Sequence, residues 1–285
     1  MDGILVVNKP YGCTSHDVVS KVKRTLKQKV GHTGTLDPMA TGVLPLLIGK
    51  GTLISKYLIN HDKIYEATIK LGIKTDTLDS EGQIIDEKEV PEELFEKEFV
   101  QTVLKSFLGE QTQIPPMYSA IKVNGKKLYD YARNGERVEV PERNIKIYNI
   151  ELLNIDVLNK EIKFRVESSK GTYIRTLCDD ISKKLGTIGY MCALNRVKVG
   201  DFRIEDSISV DEIDEANIKI IEIEEMFKNK DKIVLRNFEL NKLLNGVKLR
   251  YNLKDDVYRL YDESGKFLGL GVINNTLLKR DVIVW

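Results

Sequence analysis

The chain has 285 residues, 44 of them basic and 43 acidic, for a net charge of +1, with 42% hydrophobic and 31% charged residues. Those proportions suit a soluble globular enzyme of about two domains at roughly 100–200 residues each. No run of about 18 apolar residues is present, the start lacks the basic n-region of a signal peptide, and Cys13, Cys178 and Cys192 form no CxxC pair, so the expectation is a cytoplasmic chain with free thiols, no membrane span and no disulfide or zinc framework.

Ile4-Leu5-Val6-Val7 reads as a buried strand ending at Asn8-Lys9-Pro10, and Thr14 or Ser15 can cap a helix running to about Lys29 with Val18, Val19, Val22 and Leu26 inside. The Gly31–Gly42 loop follows, and Leu44–Leu58 reads as helical despite Pro45. Tyr65, Ala67, Ile69 and Leu71 alternate with polar residues, the period-2 pattern of a half-buried strand that turns Tyr65 inward. Thr75–Gly82 is a polar turn region, and Pro91–Leu108 is predicted as one amphipathic helix. In Gln113–Arg143, Tyr118, Lys122, Lys126, Lys127, Tyr129, Tyr131, Arg133 and Arg137 interleave aromatic and basic side chains around an Asn124-Gly125 hairpin turn, as RNA-binding surfaces do. Ile162, Phe164 and Val166 mark another strand, and Ile174, Leu177, Cys178, Ile181 and Leu185 the apolar stripe of a helix. Arg175 lies off that stripe in the first helical turn, where a cation opposes the helix dipole, so it points to a specific anionic partner. Ser209–Glu212 reads as a capping box opening a further helix, and the tail beyond Lys232 as a small β-rich module.

The near-neutral total conceals local contrast. Val18–Val30 carries five basic residues and no acid, Glu205–Glu225 nine acids and one lysine, and Lys232–Trp285 ten basic and six acidic residues. Local basic surface is what phosphate binding requires.

Several familiar patterns fail. Gly49-Lys50-Gly51-Thr52 lacks the first glycine of a phosphate loop and has Gly51 where Ser or Thr belongs. His16, His32 and His61 show no metal-ligand spacing, so no metal is expected. Asp37 has no second acid beside it for aspartyl-phosphate chemistry, and no partner acid for a glycosidase is identifiable. Between Asp17 and Asp62 it is the one carboxylate, in a loop of glycines and threonines. An Asp-Pro pair is a common turn former; a nucleophile would profit from the same isolation, because a second carboxylate would raise its pKa.

Taken in order, Gly3–Pro10, Gly31–Gly42, Tyr65 with its strand, Thr75–Gly82, Gln113-Ile114-Pro115-Pro116-Met117-Tyr118-Ser119-Ala120, Gly171-Thr172-Tyr173-Ile174-Arg175 and Leu194-Asn195-Arg196 resemble the bacterial tRNA pseudouridine synthase family TruB over essentially the whole chain. The resemblance implies an α/β (α+β) pseudouridine synthase fold, with a mixed, mainly antiparallel central sheet flanked by helices and loops and a β-rich C-terminal PUA-type module. It implies a catalytic domain at 1–230, with an RNA-gripping insertion at about 113–143, and a PUA-like RNA-binding domain at 231–285. It implies isomerisation of uridine 55 in the tRNA T-loop, with base flipping, no cofactor and no obligatory protein partner. By the same resemblance Asp37 is the nucleophile, Tyr65 and Arg175 are active-site partners, and Leu194 packs in the pocket. His32 helps open the T-loop, and Lys9 and Pro10 support the catalytic loop. Tyr118, Lys122, Lys126, Lys127 and Arg133 of the interleaved segment, with Tyr173, are expected to bind the RNA. Asn195 departs from the family's frequent arginine. The rival readings are a guide-RNA-dependent synthase and a non-catalytic RNA-folding protein on the same scaffold; activity on tRNA alone separates them.

Overall fold

The structure, a computed structural model, describes residues 1–136 and 138–285; Arg137 of the aromatic–basic segment lies outside the described residues. Strand β1 (Gly3–Lys9) leads into helix α1 (Ser15–Leu26). Thr14 caps α1: its hydroxyl accepts the Asp17 N–H at 3.1 Å while the Asp17 carboxylate accepts the Thr14 N–H at 2.8 Å. The helix stops at Leu26 rather than near Lys29 because Lys27 turns left-handed, with φ 49°. Strands β2 (Val30–His32) and β3 (Thr41–Ile48) follow, then a 3-10 segment at Gly49–Ile54 and a single helical turn, α2 (Ser55–Leu58).

The helix expected over Leu44–Leu58 is therefore wrong in its first half. Every residue of β3 from Gly42 onward is buried, and a strand covered on both faces loses the period-2 signature and reads as a plain apolar run. Pro45 is accommodated because its backbone faces the β2 side beyond Leu46, the last residue of β3 that pairs with β2.

Strand β4 (Lys63–Leu71) alternates buried and half-buried residues along its whole length, as read from sequence. A hairpin of β5 (Ile73–Thr75) and β6 (Ile84–Glu87) precedes a 3-10 turn at Glu92–Phe95 and α3 (Lys97–Lys105). The single helix expected over Pro91–Leu108 is thus split, by extended backbone at Glu96 (ψ 122°). Strand β7 (Gly109–Gln113) opens the insertion, whose hairpin joins β8 (Lys122–Val123) to β9 (Lys126–Lys127). Asn124 and Gly125 turn it at φ 50° and 81°, the left-handed pair that a type I′ turn needs. Helix α4 (Leu128–Arg133) and strands β10 (Arg143–Asp156) and β11 (Glu161–Ser168) come next, followed by α5 (Ile174–Lys184), β12 (Gly189–Val199), β13 (Phe202–Arg203) and β14 (Ile208–Ser209). No helix starts at Ser209–Glu212: Val210–Glu212 forms one 3-10 turn without a side-chain cap, and Asp211 reaches across to Lys21 at 2.6 Å instead. The tail contributes β15 (Lys232–Val234), α6 (Asn237–Leu244), β16 (Leu249–Arg250), β17 (Asp256–Tyr261), β18 (Phe267–Asn274) and β19 (Leu277–Ile283).

Among the described residues, ten strands form the main sheet in the order β14-β1-β3-β12-β4-β11-β10-β7, with β2 and β13 appended to β3 and β12. The β1–β14 and β3–β12 pairs are parallel and the rest antiparallel, the mixed, mainly antiparallel sheet that the family resemblance implied. Five further strands form the tail sheet in the order β15-β17-β18-β19-β16. One core, with Ile69, Phe164, Ile147, Val100 and Ile181, lies between α3, α5 and the β4–β12–β11–β10 face; a second fixes α1 on β1 and β3 through Val18, Val22 and Leu26. Each such buried side chain contributes about 1.5–3 kcal/mol. A third joins Ile4, Val6 and Leu47 to Leu270 and Val282 of the tail sheet.

Candidate active site

Strands β4, β12 and β10 contribute to a cleft of about 920 Å³, lined on one side by the 33–37 loop and on the other by Tyr118, Tyr129, Tyr173 and Arg175. That volume suits a single nucleotide or similar ligand.

The loop that carries Asp37 is pinned on three sides. Ser15, buried at the start of α1, donates its hydroxyl to the Leu36 carbonyl (3.1 Å) and accepts the Leu36 N–H (2.8 Å). Lys9, fully buried at the end of β1, donates to the carbonyls of Pro10 (2.8 Å) and Pro38 (3.2 Å). From β12, the fully buried Arg196 donates to the carbonyls of Val43 (2.8 Å), Gly34 (3.1 Å) and Thr35 (3.4 Å). The Asp37 carbonyl closes a turn by accepting the Ala40 N–H at 3.0 Å. A loop whose backbone is held this way presents its side chain in one place, which is what a reacting group needs.

Asp37 keeps 35% of its side-chain exposure and points into the cleft beside Arg175, whose Nε lies 3.1 Å from Oδ2. Arg175 is 7% exposed and does not grip Asp37 with both prongs. One terminal nitrogen lies 3.2 Å from Oδ2 of the buried Asp79 and donates to the Thr77 carbonyl at 3.2 Å, and the other donates to the Tyr118 carbonyl at 2.9 Å. The fork is divided between two carboxylates, and this answers the question its odd position in α5 raised: the anionic partners are Asp37 and Asp79. The isolation of Asp37 in the sequence does not survive folding, because Asp79 shares its counter-ion. Burial, reinforced by Asp79, raises the Asp37 pKa above the ordinary carboxylate value, and Arg175, Lys9 and Arg196 oppose the rise.

The other expected residues distribute around this pair. Tyr65 is buried in β4 opposite Arg196 and lines the cleft, as do Leu194, Tyr118 and Tyr173. Gln113 of the Gln-Ile-Pro-Pro motif fixes Tyr173 by accepting its N–H (2.8 Å) and donating to its carbonyl (3.0 Å). His32 is half-buried behind the lining; its Nδ1 accepts the Gly34 N–H at 3.3 Å, and burial lowers its pKa, keeping the ring neutral. Pro10 is exposed, and its carbonyl serves as one of the two Lys9 acceptors. In the insertion, Lys122 is exposed, while Lys127 and Arg133 lie over the Tyr129 ring at 5.1 and 5.2 Å. Lys126 is already committed: it pairs with Glu136 at 2.9 Å and covers Tyr131.

Two residues at the centre of the site, Asp79 and Arg196, are absent from the set read as functional. Arg196 was legible, since it lies two residues beyond Leu194 on the same inward face of a strand, where a charge needs a reason. Asp79 sat in a polar turn where acids are ordinary, and its role depends on the left-handed Leu78 (φ 63°) that swings the turn toward α5. Asn195 accepts the Thr41 hydroxyl at 3.2 Å and so ties β12 to β3 at the root of the loop.

A chain with this sheet is similar to a solved structure described as a Cbf5-Nop10-Gar1 complex: 27% identity, TM-score 0.66, covering 95% of this chain and 78% of that one. The fold is that of the pseudouridine synthases. The family described as TruB family pseudouridylate synthase (N terminal domain) matches residues 23–174, and the tRNA pseudouridylate synthase B C-terminal domain matches 175–245. Proteins named tRNA pseudouridine synthase B are similar along their whole length: that of Clostridium novyi is 48% identical over 100% of both chains, and that of Clostridium kluyveri 44% over 95% of this chain and 96% of its own. The chain belongs to the TruB family.

Proposed function

We propose that this protein isomerises uridine to pseudouridine in tRNA, at position 55 of the T-loop, with Asp37 as nucleophile. The observation that carries the reading is the Asp37–Arg175 pair, 3.1 Å apart at the floor of a cleft that Tyr65 and Leu194 also line, in a chain whose full-length relatives bear the name tRNA pseudouridine synthase B. The reaction breaks the N1–C1′ bond, turns the base and forms a C5–C1′ bond; the C5 proton leaves and N1 ends protonated. The base must first leave its stack, at a cost of about a few kcal/mol, and the cleft receives it. Arg175 keeps Asp37 ionised for attack at the ribose C1′ or the uracil C6. Tyr65 stacks on the base and takes the C5 proton late in the reaction. Lys9 and Arg196 hold the loop still while the base turns.

The Gln113–Arg143 insertion, with Tyr118 and Tyr129 on the cleft wall, favours direct recognition of tRNA by the protein over guidance by a separate RNA. The basic tail from Lys232 onward is read as a PUA-type module that adds phosphate contacts. The test is incubation of purified protein alone with unmodified tRNA labelled with tritium at C5 of uridine. Release from the wild type at one position, and none from Asp37→Asn, is the expected result. Release that requires an added guide RNA would transfer the protein to the guided class, and no release under any condition would leave an RNA-folding role.

A further inference from the structure

The cleft has a second end. Besides Asp37 and its neighbours it is lined by Lys63, Arg143 and Lys170, and Asp37 is the sole carboxylate among the lining residues. The two cations at the Asp37 end are fully engaged: Arg175 by Asp37 and Asp79, Arg196 by three carbonyls. The three at the far end are not. Among the described residues none of them forms an ion pair with a carboxylate. Lys63 is only 9% exposed, yet its ammonium makes a single hydrogen bond, to the His61 carbonyl; Lys170 donates to the Asn60 side chain at 2.7 Å.

An ammonium this deeply set with donors to spare is costly unless an anion meets it. The sheet brings the three cations together by register. Lys63 begins β4 and pairs with Ser168, the last residue of β11; Lys170 follows in the turn after it, and Lys146 of β10 exchanges hydrogen bonds with Ser169 of that turn, which places Arg143 at the same edge. Lys63 also lies two residues before Tyr65 and so on the same face of β4, at a spacing on the order of 7 Å along the strand. With the base stacked on Tyr65, that is one sugar–phosphate unit away.

We propose that Lys63, Arg143 and Lys170 form a phosphate seat that holds a backbone phosphate adjoining the extruded uridine and so sets the depth to which the nucleotide enters. The inference rests on the tRNA-modifying reading above. Burial, with Arg196 and Lys170 adding repulsion and Asp62 opposing, lowers the Lys63 pKa to about 8, which is the electrostatic signature of a cation waiting for a counter-charge. Lys63 and its companions are positioning residues: they touch the phosphate and leave the bond chemistry to Asp37.

The experiment compares wild type, Lys63→Met, Lys63→Arg and Lys170→Ala on tRNA carrying a neutral methylphosphonate at one or the other phosphate flanking the target uridine. Lys63→Met is expected to weaken tRNA binding about ten-fold and to flatten the log–log salt dependence by about one, with Lys63→Arg restoring most of the loss. One of the two methylphosphonates is expected to weaken the wild type by a similar factor and Lys63→Met no further, the non-additivity of two partners in one contact. Lys170 is exposed, so Lys170→Ala, which keeps its fold, repeats the cycle if Lys63→Met does not. Losses that simply add, or a wild type indifferent to both neutral linkages, overturn the seat. A wild type that binds tRNA but releases no tritium would instead overturn the catalytic reading.

Discussion

Asp37 stands in tension between reactivity and stability. In the proposed reaction it must be ionised to attack, yet burial and Asp79 raise its pKa. Activity should therefore fall on the acid side at a higher pH than for an ordinary carboxylate, and Arg175→Gln, which removes the opposing charge, should move that limb of the kcat/KM profile further up while cutting the rate at least ~100-fold. An acid limb in Arg175→Gln at or below the wild-type position would refute this account. The linkage has a definite sign. A carboxylate whose folded pKa exceeds its unfolded value costs the fold stability wherever it is ionised, and the cost disappears as pH falls through the raised pKa. Asp37→Asn should accordingly melt no lower than wild type at pH 7, with Arg175 still anchored by Asp79, while turnover drops at least ~1,000-fold. A clear drop in its melting temperature would show the carboxylate to be a structural turn former. That Asp37, Tyr65 and Arg175 meet around one cleft was only partly legible: a tyrosine on the buried parity of a strand and a cation in the first turn of a helix stood out, whereas an acid before a proline reads as an ordinary turn former until the family resemblance is added. Asp79 was illegible because only the tertiary turn of Thr75–Gly82 brings it to Arg175.

Elements were legible where one face is buried and the other wet. The alternation of β4 and β11 and the stripes of α1 and α5 each declare a period. The pattern fails for β3, enclosed by β1, β2 and β12, because full burial erases the contrast that periodicity needs. The junction of β3 with the Asp37 loop also explains a glycine. Gly42 adopts φ 106°, and a Cβ there would lie 2.3 Å from the Arg196 carbonyl oxygen and 2.7 Å from the Arg196 nitrogen. The parallel β3–β12 pairing of Gly42 with Arg196 demands that approach. Gly42→Ala should destabilise the protein by more than ~2 kcal/mol and, by pushing β12 away, loosen the grip of Arg196 on Gly34 and Thr35, so that turnover falls with the midpoint of urea unfolding. A variant of unchanged midpoint and rate would mean that the two strands separate freely.

At the scale of the whole molecule, the tail is basic and β-rich as its composition indicated, but composition gave no notice of how it is attached. Leu270 and Val282 pack with Ile4, Val6 and Leu47 of the main sheet, Tyr57 donates to Asp281 at 2.5 Å, and Lys50 donates to the Val284 carbonyl at 2.9 Å. Removing residues 231–285 would uncover several core side chains, a loss on the order of 5 kcal/mol, against a typical total of about 5–15 kcal/mol. Truncation should therefore give a protein of much lower melting temperature or none that is soluble, and weak tRNA binding by it would report unfolding. The RNA-binding role proposed for the tail is better isolated by reversing exposed charges that hold nothing together. Lys248, Arg250 and Lys279 are all exposed around β16 and β19. The triple change to Glu should leave the melting temperature within a few degrees, raise the dissociation constant for tRNA at least ~10-fold and flatten its salt dependence. At saturating protein the single-turnover rate should stay that of the wild type, because Asp37 in its loop, Arg175 on α5 and Tyr65 on β4 all lie outside the tail. An unchanged dissociation constant would remove the tail from the RNA interface and leave the basic insertion, α1 and the cleft itself to carry the phosphates.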